Sequence, residues 1–319
     1  MKPELEPLDL GAVKTVPMAR RPRKVKAVDA ARPWGRGGPF AGFLERLPGL
    51  LAAADLKAVV AAVARAARKG RPVIFAMGAH VIKVGLAPIV IDLMERRVIT
   101  GVAMNGAGII HDVEMAMSGR TSEDVGPALN EGTFGMTAET PAFLNEALAA
   151  APHPGAGLGR AVGEAILAAG FPGKGISILA AGARLGLPVT VHVAIGTDVL
   201  HMHPGFDPAR TGSASHADFR LLAAQVARLE GGVFIHAGSA VILPEVFLKA
   251  LNVARNLGYR ADAFTTVNLD FVRHYRPMVN VVSRPTARGG TGISLVGHHE
   301  IMLPLIAAGV IEALPEAFG

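Results

Sequence analysis

Apolar positions along the chain switch between two spacings. Residues 56–69 carry apolar side chains at three- and four-residue intervals and run into Gly70, which predicts a helix with a glycine stop. Residues 72–77 (PVIFAM) form a short unbroken apolar run, the pattern of a strand buried on both faces. A second helix is expected over 86–97, closed by Arg96 and Arg97 where the helix dipole favours cations. A second strand is expected over 99–104, running into Asn105, Gly106, Ala107 and Gly108, with a helix from about Asp112.

Residues 122–175 are rich in Ala and Gly, with breaks at Pro152, Pro154 and Pro172, and read as a helical excursion within one domain. Strand patterns return at 188–194, 232–236, 263–268, 279–282 and 292–296, separated by helical patterns at 214–229 and 244–256 and followed by one at 298–308. This alternation predicts the α/β class: a doubly wound, mostly parallel sheet with helices on both faces, Rossmann-like, over residues 38–319. In such sheets ligands sit beyond the carboxyl ends of the strands, so the residues just after each strand are where chemistry is expected.

Composition narrows the field. The chain has no Cys, which excludes disulfides and thiolate chemistry and fits a cytoplasmic protein. Residues 1–37 lack the apolar stretch of a signal peptide, and apolar runs such as 86–91 are too short to span a bilayer, so a soluble chain with no membrane partner is expected. The net charge is +6. Residues 1–37 hold nine Lys and Arg, from Lys2 to Arg36, against four acids, so this arm supplies nearly all of it. A basic arm on a near-neutral domain predicts a mobile or docked tail; no aromatic stacking motif accompanies the charge, which argues against a nucleic-acid partner.

Five strand-end turns carry the candidate chemistry. They are Gly78 to Gly85; Asn105 to Gly108, leading to His111 and Asp112; Gly196-Thr197-Asp198, leading to His201 and His203; His236-Ala237-Gly238-Ser239; and Asn268-Leu269-Asp270. Glycine at a strand end lets backbone amides approach a phosphate, and the following helix N-terminus favours its charge. Tight turns need glycine in any case, so the convergence of several such turns is what predicts a nucleotide site. His111, His201, His203 and His236 are candidate general bases, because imidazole titrates near working pH. Asp112, Asp198 and Asp270 suit a cationic substrate, whereas Arg284 and Arg288, in the glycine-rich tract 284–292, suit an anionic one or a solvated loop. His201 and His203 share a face if that segment is extended, and with His111, Asp112 or Glu300 could bind a divalent ion; structural hydrogen bonding is the competing reading. His298 is expected to cap the last helix or point inward, with Glu300 at its positive end.

At these turns the chain resembles deoxyhypusine synthase. That family has an Ile-Phe strand, a polar loop, a helix and an apolar strand ending in Thr-Thr-Ala-Gly-Gly-Val-Glu-Glu-Asp; here the same spacing holds Ile74-Phe75, the loop to Gly85, and Asn105 to Asp112. Its Ile-Pro-Val strand and Ala-Leu-Thr-Asp-Gly-Ser resemble Leu187-Pro188-Val189 and Ala194 to Asp198, its Gly-Gly-Gly loop resembles Ala237-Gly238-Ser239, and its Ile-Asn-Thr resembles Val267-Asn268-Leu269. The resemblance implies NAD bound at Asn105, Gly106, Gly108, Asp198, Gly238, Ser239 and Asn268, polyamine chemistry, and a homotetramer with sites at subunit interfaces. It also implies what this chain lacks. The family's nucleophilic lysine, in a Trp-Gly-Lys segment, matches residues 282–286, which hold neither Trp nor Lys. Its Lys-His-His after the glycine loop is Ile242-Leu243-Pro244, and its paired glutamates are Ile110-His111. An imine needs a primary amine, so the expected enzyme acts on an amine or other small substrate by hydride transfer, not by lysine-imine transfer. The alternatives are a non-catalytic nucleotide sensor or assembly protein, and a metal-dependent hydrolase using His201 and His203.

Overall fold

The computed structural model describes residues 5–151 and 155–318; Lys2, Pro152 and Pro154 lie outside them. Six strands form one sheet: β1 (Val73–Met77), β2 (Gly101–Asn105), β3 (Val189–His192), β4 (Val233–Ala237), β5 (Thr265–Asp270) and β6 (Thr291–Val296). Their order is β3-β2-β1-β4-β5-β6, and every neighbouring pair is parallel. This is the doubly wound Rossmann order, with the reversal between β1 and β4.

The helices are α1 (Phe40–Arg46), α2 (Leu51–Arg68), α3 (His80–Lys83), α4 (Ala87–Glu95), α5 (Gly106–Ser118), α6 (Val125–Asn130), α7 (Glu139–Ala149), α8 (Leu158–Ala168), α9 (Ile178–Leu185), α10 (Pro208–Val226), α11 (Ile242–Asn256), α12 (Tyr275–Pro277) and α13 (His299–Glu312). Alternation along the strands divides the core. Phe75, Met77, Val102, Met104, Val189 and Val191 face the layer containing α2, α4, α5, α8, α9 and α13. Ile74, Ala76, Ala103 and Phe234 face α10 and α11, where Phe234 and Phe247 stack at 3.7 Å between ring centroids. All five residues of β1 are buried, which is why the sequence shows an apolar run there and no alternation.

Two departures from expectation bear on the site. The valine-rich 279–282 is no strand but part of a π-helical segment, Met278–Ser283, descending from β5 to the start of β6. A right-handed crossover between parallel neighbours needs such a connection across one face, and Asn280 and Val281 bury against that face. The helix after β2 begins six residues earlier than expected. The Asn105 side chain accepts the Gly108 N–H at 3.0 Å and caps it, so Gly106, Ala107 and Gly108 form its first turn.

Candidate functional site

Because all six strands are parallel, every strand-to-helix turn emerges on one rim. At the reversal, Gly78 donates its N–H to the Ala237 carbonyl at 2.8 Å, and a Cβ on Gly78 would stand 2.3 Å from the Gly238 carbonyl oxygen. Gly238 has φ +68° and lies under the His299 ring, whose Cε1 would be 2.9 Å from a Cβ there. Gly78 is therefore required by close backbone approach, and Gly238 by its positive φ under the His299 ring. The His299 Nε2–H donates to the Leu269 carbonyl at 3.0 Å, and the ring meets exposed His80 edge-on at 5.7 Å. Burial, and next the neighbouring His299, lower the His80 pKa. His299, not His298, is the inward histidine: His298 is exposed and stacks on Phe271. A helix start one residue later than expected turns the pair by about 100°.

Most expected cofactor residues are already bonded within the protein. Asn105 caps α5, and Ser239 accepts the Leu243 N–H at 3.2 Å at the start of α11. Asn268 accepts from His236 Nδ1 at 2.8 Å. Gly108 packs on Met104, and a Cβ on Gly106 would lie 1.9 Å from Asp198 Oδ2. Asp198 differs. It is buried, its Oδ2 has no partner, and burial raises its pKa while His201 opposes the shift.

Asp198 lines a cavity of about 240 Å³ on the same rim, together with Lys83, His111, Glu114, Glu123 and Thr197. There the geometry selects a tautomer. Thr121 donates its hydroxyl proton to Glu114, so its oxygen is left to accept from His111 Nδ1 at 2.5 Å. In the neutral imidazole the proton then sits on Nδ1 and leaves the His111 Nε2 as the acceptor. Burial would raise Glu114, but the bonds from His111 and Thr121 outweigh it and its pKa is lowered. Glu114 was legible in the sequence as the residue one helical turn from His111; Lys83 and Glu123 carried no such signal.

The remaining candidates do not join this group. Asp112 projects from the inner face of α5, fully buried, and accepts from Ser177 Oγ at 2.5 Å, Ile178 N at 2.8 Å and Leu179 N at 3.2 Å, capping α9. Burial lifts its pKa to about 6 against those bonds. His236 is wholly buried within the sheet, where a general base has no access to substrate, and burial lowers its pKa. His201 and His203 lie on a 3-10 turn, Val199–Met202 and its cap, not on an extended segment. His201 Nδ1 accepts from Gly196 N at 3.0 Å, whereas His203 Nε2 donates to the Gly135 carbonyl at 2.8 Å, so the two do not converge. Among the described residues no group of three His, Asp or Glu side chains could hold a metal. Asp270 is on the rim beside His80, with its Oδ1 taken by the Phe271 N–H at 2.8 Å. Arg284 and Arg288 precede β6 and so lie on the opposite rim. There Arg284 bonds Asn280 at 3.0 Å and Arg288 reaches Asp262 at 4.0 Å.

No protein-family model matches the chain, and no curated protein sequence matches it. Solved structures match its fold. A candidate deoxyhypusine synthase from Entamoeba histolytica gives a TM-score of 0.52 at 11% identity, covering 88% of this chain and 96% of that one. A candidate LOR/SDH protein from Methanococcus maripaludis S2 gives 0.50 at 14% identity, covering 87% of this chain and 71% of that one. AgrE, solved in ternary complex with ornithine and NAD+, gives 0.51 at 12% identity over 81% of this chain and 32% of AgrE. This chain thus spans about a third of AgrE, and 31% of ArgZ, an arginine dihydrolase from cyanobacteria. At these identities the likeness is one of fold. The chain has a deoxyhypusine-synthase-like, Rossmann-like α/β fold. No helix among the described residues is long and apolar enough to cross a membrane.

Proposed function

We propose that the chain is an NAD-binding enzyme that removes a hydride from a small organic cation. The observation that carries this is the His111–Thr121–Glu114 chain, which opens onto the cavity that Asp198, with one carboxylate oxygen unpartnered, also lines. A buried carboxylate oxygen without a donor is a costly group to retain, and an ammonium or amidine nitrogen supplies the missing donor. His111 Nε2 is then the base for the substrate's proton, oriented by Thr121 and held by the charge of Glu114.

The dinucleotide belongs at the β1/β4 reversal. Side-chain-free Gly78 and Gly238 bring backbone to the rim there, and Lys83 supplies positive charge in the adjoining turn. Bound NAD would supply the hydride acceptor; the protein's own part is to orient the substrate amine at Asp198 and take its proton at His111. Lysine-imine transfer has no support at residues 282–286, which hold no lysine and lie toward the opposite rim. AgrE's complex with NAD+ on a similar fold supports the cofactor, and the resemblance to deoxyhypusine synthase supports an amine substrate and a homotetramer.

The absence of a lysine at residues 282–286 leaves a second reading, binding without turnover. Calorimetric titration with NAD+ and with NADH tests the site; no heat with either ends both readings. If NAD binds, growth of reduced-nicotinamide absorbance with a panel of diamines and basic amino acids separates enzyme from sensor. In the enzyme reading Asp198→Asn weakens amine binding while leaving NAD binding intact.

A further inference from the structure

The N-terminal arm and a groove on the molecule's far side are complementary in a way the dinucleotide site does not use. Along residues 5–18 the side chains of Leu5, Leu8, Leu10, Val13, Val16 and Met18 are 61–93% exposed. Six large apolar side chains without cover on one short segment mark a surface that binds something. Between them stand Glu6 and Asp9, with Lys14 the single cation of residues 5–16. The basic cluster of the arm, from Arg20 onward, is separate from this acidic, leucine-bearing tip.

On the outer side of α10 and α11 lies a groove of about 320 Å³, floored by Phe219, Ala223, Ala227 and Val253 and walled by Leu257 and Tyr259. Leu257 is 68% and Tyr259 55% exposed. Arg220 and Arg228 flank it, and among the described residues neither forms an ion pair. An apolar trough edged by two free guanidinium groups fits an apolar strand carrying two carboxylates. The arm leaves its own body at α1, which packs on α13, across the sheet from α10 and α11. Its tip lies in solvent, not in its own groove.

We propose that the tip of the arm, residues 5–16, docks into the α10/α11 groove of a second copy of this chain. Leu5, Leu8 and Leu10 fill the trough, and Glu6 and Asp9 meet Arg220 and Arg228. The inference stands independently of NAD binding, since neither surface touches the rim.

The test uses full-length variants altered only at exposed positions, with self-association followed by sedimentation over a concentration series. Leu8→Asp with Leu10→Asp disables the arm, and Arg220→Glu with Arg228→Glu disables the groove. Each is expected to weaken association by about tenfold or more. Mixing the two variants restores one arm–groove pair per dimer and recovers part of the association. Adding Glu6→Arg and Asp9→Arg to the groove variant restores it by charge reversal. Unchanged association in either variant, a monomeric unaltered chain, or a mixture that recovers nothing, as docking of each arm on its own body would give, overturns the proposal.

Discussion

Asp218 offers a direct test of the sheet's edge. β3 is an edge strand, and the outward N–H of Val191 has no neighbouring strand to accept it. Asp218, on α10 and fully buried, accepts that N–H with Oδ2 at 2.8 Å and the Gly159 N–H at 2.9 Å. Ser215, one turn earlier, accepts from Val193 at 3.2 Å and donates to the Val191 carbonyl at 3.0 Å, so α10 closes an edge that could otherwise pair with another chain. The Oδ1 of Asp218 lies against Gly157 without a partner. Burial pushes the carboxyl up to about 7, against the bonds from Gly159 and Val191 that favour ionisation.

A carboxyl raised in the folded state stabilises most while protonated. Below the unfolded value, about 3.9, both states hold the proton and the contribution is complete. As pH rises from there toward 7, the unfolded chain ionises and the native one does not, so stability falls by about 1.4 kcal/mol per pH unit. The loss over the window is on the order of 4 kcal/mol, a large share of the 5 to 15 kcal/mol typical of a domain, roughly speaking. Asp218→Asn keeps an oxygen for the two N–H groups and cannot titrate. Any constant cost of its amide cancels when denaturant midpoints of the two proteins are compared across pH. The expected result is a variant that gains on the wild type by roughly 4 kcal/mol between about pH 4 and about pH 8. A stability difference that stays level with pH would show that Asp218 ionises as an ordinary carboxylate, and the account of the edge would fail.

Three further outcomes follow from the same contacts. Asp112→Ala strips the cap of α9 and leaves the Ser177 hydroxyl and two N–H groups without their acceptor; a loss of about 2 to 4 kcal/mol is expected in urea unfolding, and a loss below about 1 would contradict the assigned role. Gly78→Ala forces a methyl group against the Gly238 carbonyl, which should cost about 1 to 3 kcal/mol in thermal unfolding and weaken NAD binding; unchanged binding would move the dinucleotide away from the β1/β4 reversal. Thr121→Val removes the hydroxyl that fixes His111, so nitrogen NMR should show one tautomer, protonated on Nδ1, in the wild type and a mixture in the variant; a wild-type mixture would refute the hydrogen-bond chain.

The parts of the fold legible in the sequence are those set by burial alone. PVIFAM and GVFIH sit in strands because central parallel strands are covered on both faces, and their apolar runs say so without a neighbour's help. The strand-end turns were legible for a related reason: polar residues and glycines mark where a buried strand meets the rim. The segment 279–282 misled because its three valines pack equally well on a π-helical crossover, and periodicity over four residues does not distinguish strand from helix.

The site was less legible because its residues are chosen by partners distant in sequence. Asp112 and His111 are adjacent on α5, yet one turns inward to α9, 65 residues on, and the other outward to Thr121 and Glu114. Only the helix phase separates a cap from a candidate base, and that phase rests on Asn105 starting the helix at Gly106. The same start places Gly106 under Asp198, whose carboxylate occupies the space a side chain would need. Glycine there makes room for the Asp198 carboxylate. The carboxylate proposed for the amine thus sits in the turn where the resemblance implied a pyrophosphate cradle, which is why we propose the reversal between Gly78 and Gly238 for the dinucleotide.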